Sequence, residues 1–585
     1  MRYILSKCRK VYRERGAIGL GKKIWQKLFG KSEAEIYEKI QRDKSGLYAA
    51  WRKKHGAVAD ELNRQRQLSY ADFPLIGIVV PVYNTKVLYL TEFIESVLAQ
   101  TSPNWELCLV DGCSDAKDTK ETLARYAAKD KRIHVLTLTQ NNGISGNTNE
   151  GLRAVRGEFI LFCDHDDVLE PNALYEVNMA IKNHHADVVY SDEDKINDDS
   201  SLYYEPHLKP DYSPEKLTAC NYFCHLMGVS RQLFEKVGYL NPAFDGSQDH
   251  EFTLRACDAA ANDKIIHIPR VLYHWRQFGA SMSKQHLEKC QAAGRRAVGE
   301  HLARIGLTGT VTQDHGYRVN YAINRQELIS VIVAVKDDIK AAGQNFAQLK
   351  QASSYPCLEF ILINLTPDTA NGESFDGVTY VTGDTALSAY ANINRAAQEA
   401  NGVYLALADE YLTCNNPAWA EELVMYAQQP TIGMVGGKIY LPDNEHIFAT
   451  DYLLTKGGPV REFFGHSRNV IGDGGQERMV RNVSALPCEM LLLRREVFPA
   501  AGGLDEKYRN GLGEIDLALR LLGAGYRHVT TPFAEMRLTK TAVTDKFMPM
   551  NTPDGRYFLS HGKDYVYDRY NRIPFDATDL EEAEL

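Results

Sequence analysis

Three carboxylates, Asp164, Asp166 and Asp167, fall within four positions at the end of the apolar run Phe159–Cys163. Acids crowded at the mouth of a buried strand repel one another, and a divalent cation among them is the simplest relief. The alternative is a solvated acidic turn ahead of a helix that Pro171-Asn172 opens. Two further acids, Asp111 and Asp115, follow the apolar run Glu106–Val110. They can serve a ligand or simply cap a turn. Asp249, in Ser247-Gln248-Asp249, precedes a helical pattern. A carboxylate there can cap the helix. His274 stands in Tyr273-His274-Trp275-Arg276, and a lone histidine among aromatics is more often structural.

The elements that carry these residues alternate. Leu75–Val82 (LIGIVVPV) reads as a buried strand, Leu88–Gln100 as a helix, Glu106–Val110 as a strand and Asp118–Asp130 as a helix. Ile133–Leu138, a helix over Thr148–Val155 and the strand at Phe159 continue the pattern. Strands alternating with helices predict a mostly parallel α/β sheet, whose ligands bind at the carboxyl ends of its strands. No GxGxxG or P-loop follows the first strand, so a dinucleotide or Walker-type cradle is not indicated. Asp187–Ser191 reads as a strand ending in an acidic turn, Asp192-Glu193-Asp194. Residues 197–221 read as an irregular, substrate-facing stretch, and 305–326 as a linker.

A second copy begins at Glu327. Leu328–Val335 (LISVIVAV) repeats LIGIVVPV, and Leu358–Ile363 repeats Glu106–Val110. Ala389–Ala408 repeats Gly143–Cys163, and Ala500–Leu521 repeats Val237–Ala256. Internal repetition of this kind marks a duplicated unit.

Composition is that of a globular protein: 585 residues, 44% hydrophobic, 24% charged, net charge −9. That balance excludes wholesale nucleic-acid binding. The charge is uneven, with ten Lys or Arg and one acid in residues 1–31. Ile24, Trp25, Leu28 and Phe29 share a helical face there, which suits either an anionic membrane surface or a docked partner. Residues 33–66 read as polar helix packed on the first domain. No secretory signal or apolar run of membrane-spanning length is visible, and the eleven cysteines show no CxxC pair. A reducing cytoplasm is the expected compartment.

The run from PLIGIVVPVYNTK through NNGISGNTNEGLRAVRGEFILFCDHDDVLEPNAL resembles family 2 glycosyltransferases of the GT-A fold. The resemblance covers Pro74 to about Met282 well and Leu328 to about Leu538 more loosely. It extends to tandem transferases that build bacterial surface polysaccharides such as O-antigens, capsules and cell-wall rhamnans. It implies two GT-A domains, 74–304 and 327–540, between a helical extension (1–73) and a tail (541–585). It also implies inverting transfer from a nucleotide-sugar donor to a glycan or lipid-linked glycan, with Mn²⁺ or Mg²⁺. The enzyme would sit peripherally on the inner face of the cell membrane, with other polysaccharide-synthesis enzymes as possible neighbours. By the same resemblance Asp166 is the main metal ligand, and Asp164 meets ribose or metal. Asp111 meets base or ribose, and Pro81, Tyr83 and Asn84 line the nucleotide pocket. Asp249 is the base, His274 is a further metal candidate, and Trp275 and Arg276 meet acceptor sugar and diphosphate.

In the second copy Asn364 stands for Asp111, Asp409 for Asp164 and Tyr411 for Asp166. Glu514 stands for Asp249 and Asp516 for Glu251, while Glu410 beside Asp409 keeps an acidic pair. Asp409, Glu410, Glu514 and Asp516 are therefore the candidates there. This copy is either a second transferase with a shifted metal site or a degenerate domain that binds glycan or a partner. Nucleotidyl transfer and a glycan-binding scaffold are the rival readings of the whole.

Overall fold

The computed structural model describes residues 45–277, 287–366, 374–470, 472–509, 511–561 and 568–571. Residues 1–31, and with them the expected membrane contact, lie outside the described residues. What is described falls into two units, one within Gln41–Val319 and one within Asn320–Ile573.

The first unit is built on one mixed sheet. Its strands are β1 (Ile76–Val82), β2 (Trp105–Asp111), β3 (Ile133–Thr137), β4 (Phe159–Phe162), β5 (Val168–Leu169), β6 (Val188–Ile196), β7 (Tyr203–His207), β8 (Met227–Ser230) and β9 (Ile265–Arg276). They lie in the order β3-β2-β1-β4-β8-β6-β9-β5, with β7 paired to β6. β1 takes a central place because it is apolar throughout, as a strand covered on both faces must be. It runs parallel to β2 and β4, with Val82 opposite Asp111 and Val79 opposite Phe162. The loops after these three strands therefore emerge together. β8 runs antiparallel to β4, and Met227 stands opposite Phe162. The residues just before β8 thus meet those just after β4, which brings His225 to Asp164.

The helix Gly143–Ala154, longer than its sequence pattern suggested, lies close against this sheet. Gly151 permits the approach: a Cβ there would come within 2.6 Å of Val79 and 2.8 Å of Val110. Its Asn149 ties it to the chain further on. The Nδ2 donates to the Leu240 carbonyl at 2.9 Å, and the Oδ1 accepts from the Leu240 amide at 3.0 Å.

Three expectations change. Asp192, Glu193 and Asp194 are not a turn; they lie within β6 and are buried. Residues 197–221 contain β7 and the helix Pro214–Ala219. Within 305–326 stands a two-stranded sheet of β10 (Gly309–Gln313) and β11 (Tyr317–Tyr321). The described part of the extension is helical over 45–55 and Ala59–Arg66 and packs on the first domain, as expected. Tyr48 donates to Asp194 Oδ2 at 2.7 Å, and Thr101 donates to Gln65 Oε1 at 2.8 Å.

The second unit repeats the first. Its main strands are β12 (Ile329–Val335), β13 (Leu358–Asn364), β14 (Val378–Thr382), β15 (Tyr404–Ala408), β16 (Leu412–Cys414) and β17 (Ile432–Tyr440). After β18 (Ile447–Ala449), β19 (Tyr452–Thr455) and β20 (Gly458–Arg461) come β21 (Arg481–Val483), β22 (Met490–Arg494) and β23 (Arg527–Leu538). The order is β14-β13-β12-β15-β22-β17-β23-β16, the same path strand for strand. The local devices recur as well. Asn394 holds Leu504 as Asn149 holds Leu240. Arg520 pairs with Asp516 and donates to the Ala501 and Gly503 carbonyls, as Arg255 pairs with Glu251 and donates to the Val237 and Tyr239 carbonyls. Part of the tail belongs to this unit, since Met548 and Phe558 join its apolar core.

Candidate active site

At the carboxyl ends of β1 and β4 a cavity opens in the first unit. Pro81, Thr148, Asp164, His225, Gln248 and Asp249 are among its lining residues. Asp249 reaches it from the first turn of the helix Gln248–Ala259 and accepts from Asn221 Nδ2 at 2.9 Å. Tyr83, Asn84 and Asp111 are not among the lining residues. They belong to a hydrogen-bonded pair of loops beside it. Asp111 Oδ1 accepts from the Ser114 amide, and Ser114 Oγ accepts from the Asn84 amide, both at 2.9 Å. Asn84, with φ +48°, receives the Asp115 and Ala116 amides on its side-chain oxygen at 2.8 and 3.0 Å. It thereby caps the helix Lys117–Lys129, whose own N-cap has no side-chain bond. Asp115 itself is exposed.

Donor atoms of Asp164, Asp167 and His225 all lie within 4.8 Å of one another. Asp164 and His225 approach to 3.4 Å. Burial favours the neutral imidazole, yet Asp164, Asp167 and Glu193 raise the His225 ring to about 9. Burial would likewise raise Asp164, but the His225 charge outweighs it and holds the carboxyl below its usual range. For Asp167 the balance goes the other way: burial, then Asp166 and Asp164, push it well above the carboxylate range despite the His225 charge and the Tyr273 hydrogen bond. The Nδ1 of His225 is buried without a hydrogen-bond partner. Two carboxylates and an imidazole are a donor set that fits a divalent cation such as Mn²⁺, and cation binding would displace the protons that this cluster otherwise retains.

The candidates divide accordingly. Asp164 belongs to the cluster. Asp166 is not in that three-donor group, although its charge bears on Asp167; its carboxylate lies 3.8 Å from His165, and its backbone carbonyl accepts from Arg276 Nε at 2.6 Å. Its neighbour Asp167 lies in the group instead. His274 stands outside the three-donor group. Its Nδ1 faces Asp194 at 2.5 Å and its Nε2 faces Glu170 at 2.8 Å, so both nitrogens are engaged. Arg276 is buried too, bonded to Glu92, Ser200 and backbone carbonyls rather than held out for a diphosphate. His225 was missed. The sequence around it, NYFCHLMGVS, carries no metal-site spacing, and only the antiparallel β4–β8 pairing brings it to Asp164.

The second unit keeps the frame and changes the chemistry. Tyr411, in place of Asp166, is hydrogen-bonded to Asp337 and accepts from Lys540. The β15–β22 register, Ala408 opposite Met490, puts Glu489 where the first unit has His225. Burial, with Glu410 adding to it, raises Asp409 to about 6. Burial raises Glu489 to about 7 against the pull of Arg461. Glu514 is buried and accepts from Tyr390 at 2.7 Å. Glu410 accepts the Lys336 and Asp337 amides, and Asp516 is held by Arg520.

An α/β sheet with acids at the ends of its parallel strands, followed by an antiparallel return, defines a GT-A domain. Residues 77–238 match the family model for glycosyl transferase family 2, so the first unit carries a family 2 glycosyltransferase domain. Among relatives, an uncharacterized protein y4gI of Sinorhizobium fredii is 32% identical over 549 residues, covering 90% of this chain and 59% of that protein. The O-antigen biosynthesis protein RfbC of Myxococcus xanthus is 32% identical over 512 residues, covering 83% of this chain and 39% of that protein. The chain thus spans less than two thirds of either. A crystal structure of S. aureus TarS overlaps 39% of this chain and 43% of its own at 21% identity, with a TM-score of 0.31. No described helix is long and apolar enough to cross a membrane.

Proposed function

We propose that the first domain transfers a sugar, with inversion, from a nucleotide-diphosphate donor to a growing bacterial surface polysaccharide. One observation carries this reading: Asp249, Asp164 and His225 line a single cavity at the carboxyl ends of the parallel strands. Asp249 is the group that takes the proton from the attacking acceptor hydroxyl. Asp164, Asp167 and His225 would hold a divalent cation, whose charge offsets that developing on the leaving diphosphate. Pro81 and the hydrogen-bonded loops after β1 and β2 supply the wall against which the nucleotide lies. An acceptor carried on a lipid at the inner face of the cell membrane fits the basic excess of residues 1–31. The second domain is read as non-catalytic, a glycan-binding or partner-binding copy, because Glu489 stands where the first unit's cluster has His225 and, among the described residues, no comparable three-donor group gathers there.

Nucleotide release from UDP-, dTDP- and GDP-sugars, with Mn²⁺ or EDTA, tests this reading. With one donor, turnover should require the metal. Asp249→Asn should lower it by about 10²–10⁴-fold, the usual contribution of a positioned base, and Glu514→Gln should leave it within about twofold of wild type. Equal losses in both variants would contradict the assignment of catalysis to the first domain alone.

A further inference from the structure

Of the side chains around the Asp164–Asp167–His225 cluster, one touches all three members. Tyr273, on β9, is fully buried. Its hydroxyl donates to Asp167 Oδ2 at 2.6 Å. The same oxygen accepts the Asp164 amide at 3.0 Å. Its ring stacks on the His225 imidazole, with centroids 4.8 Å apart and planes at 21°. We propose that Tyr273 is the positioning residue of the cation cluster, fixing the geometry of all three donors without being a ligand itself. The inference rests on the reading of that cluster as a cation site.

The physical argument is one of restraint. Asp164 and Asp167 sit on a short stretch between β4 and β5, and His225 arrives from a separate segment before β8. Nothing in the covalent chain holds these three together. The Tyr273 hydroxyl bridges the first two, a backbone amide on one side and a carboxylate oxygen on the other. The ring fixes the plane of the third. Asp167 is doubly held, because its Oδ1 also accepts the Arg276 amide at 2.7 Å, three residues along the same strand. The peptide of His225 is held independently of Tyr273. Its carbonyl accepts from Lys209 Nζ at 2.6 Å, and its amide donates to Glu193 Oε2 at 3.2 Å. Removing the hydroxyl alone therefore leaves the ring, the packing and the His225 backbone in place. It leaves the Asp167 carboxylate held by the Arg276 amide alone and the Asp164 amide unpaired. Groups that orient ligands in this way typically govern metal affinity by about 10–100-fold.

The test is a Mn²⁺ titration of the full-length protein followed by electron paramagnetic resonance of the free ion, with a thermal melt of the metal-free protein beside it. Tyr273→Phe should raise the Mn²⁺ dissociation constant by about tenfold or more, and excess metal should restore turnover. Tyr273→His keeps a stacked ring with an N–H donor and should recover part of the lost affinity. If wild type binds Mn²⁺ and Tyr273→Phe binds it equally well, the inference fails while the cation reading stands. If wild type binds no Mn²⁺, both fail. If both variants lose the fold, the hydroxyl acts in folding and the positioning role is overturned.

Discussion

His274 shows how a residue of the right type can be recruited for a different task. Read from its neighbours in sequence, it is a candidate ligand. In the fold it lies between Asp194 and Glu170, with the Tyr48 hydroxyl and the Arg52 guanidinium on the far side of the same acids. Burial alone would lower its pKa, but Asp194 and Glu170 raise it to about 9. The sign follows from linkage. A histidine whose folded pKa exceeds its unfolded value of about 6.5 adds stability in full below that value, and the contribution disappears as pH rises through about 9. A shift of this size corresponds to about 3 kcal/mol. Urea unfolding of wild type and His274→Gln at pH 6 and pH 9.5 should therefore show a gap at the lower pH that narrows by most of that amount at the higher. A gap independent of pH would mean that the ring packs as a neutral group. Asp164 and Asp249, which line one cavity, stood out as candidates in the sequence, Asp164 at the end of a recognisable strand and Asp249 through the family resemblance. His225 and Tyr273 did not, since their roles depend on pairings between strands far apart in the chain.

At the scale of elements, β6 carries the same lesson. Three successive acids argue for a turn, because a strand with one buried face should alternate apolar and polar residues. The strand forms because each acid meets a partner from elsewhere. Asp192 pairs with His267 at 2.8 Å, Glu193 with Lys209 at 3.1 Å and Asp194 with His274. Lys209 is itself fully buried and also donates to the Phe223 and His225 carbonyls, both at 2.6 Å. Burial would raise Glu193, but chiefly the Lys209 charge brings it down to about 2. The core strands β1, β2 and β4 could be read directly from their apolar runs; β6 could not, because its stability comes from charges contributed by residues 207–274. Breaking a buried pair by removing one partner costs about 3–5 kcal/mol. Lys209→Met should lose stability of that order in denaturant unfolding. The same variant should weaken Mn²⁺ binding, because Lys209 and Glu193 hold the His225 peptide. A loss below about 1 kcal/mol would place the pair among weak, solvent-screened bridges.

At the scale of the whole molecule, one sheet has been built twice and furnished differently. Strand order, the Asn149 and Asn394 ties and the two Arg clamps are the same in both halves. This duplication was readable because apolar strands repeat in type as well as in spacing. What the sequence left open, an active or a degenerate second copy, turns on single positions. Glu489 stands where His225 stands. Burial raises Asp409 to about 6 and Glu489 to about 7. Among the described residues, Asp164, Asp167 and His225 form the one acid–imidazole group close enough to share an ion. The full-length protein should therefore take up one equivalent of Mn²⁺ at pH 7, and Asp164→Ala should abolish it, whereas Asp409→Ala should leave the stoichiometry unchanged. Calorimetric titration distinguishes these outcomes. Two equivalents, the second removed by Asp409→Ala, would mean that the second half assembles a metal centre from a different donor set and is a transferase in its own right. One equivalent confined to the first half fits a division in which the conserved frame is used once for chemistry and once for recognition.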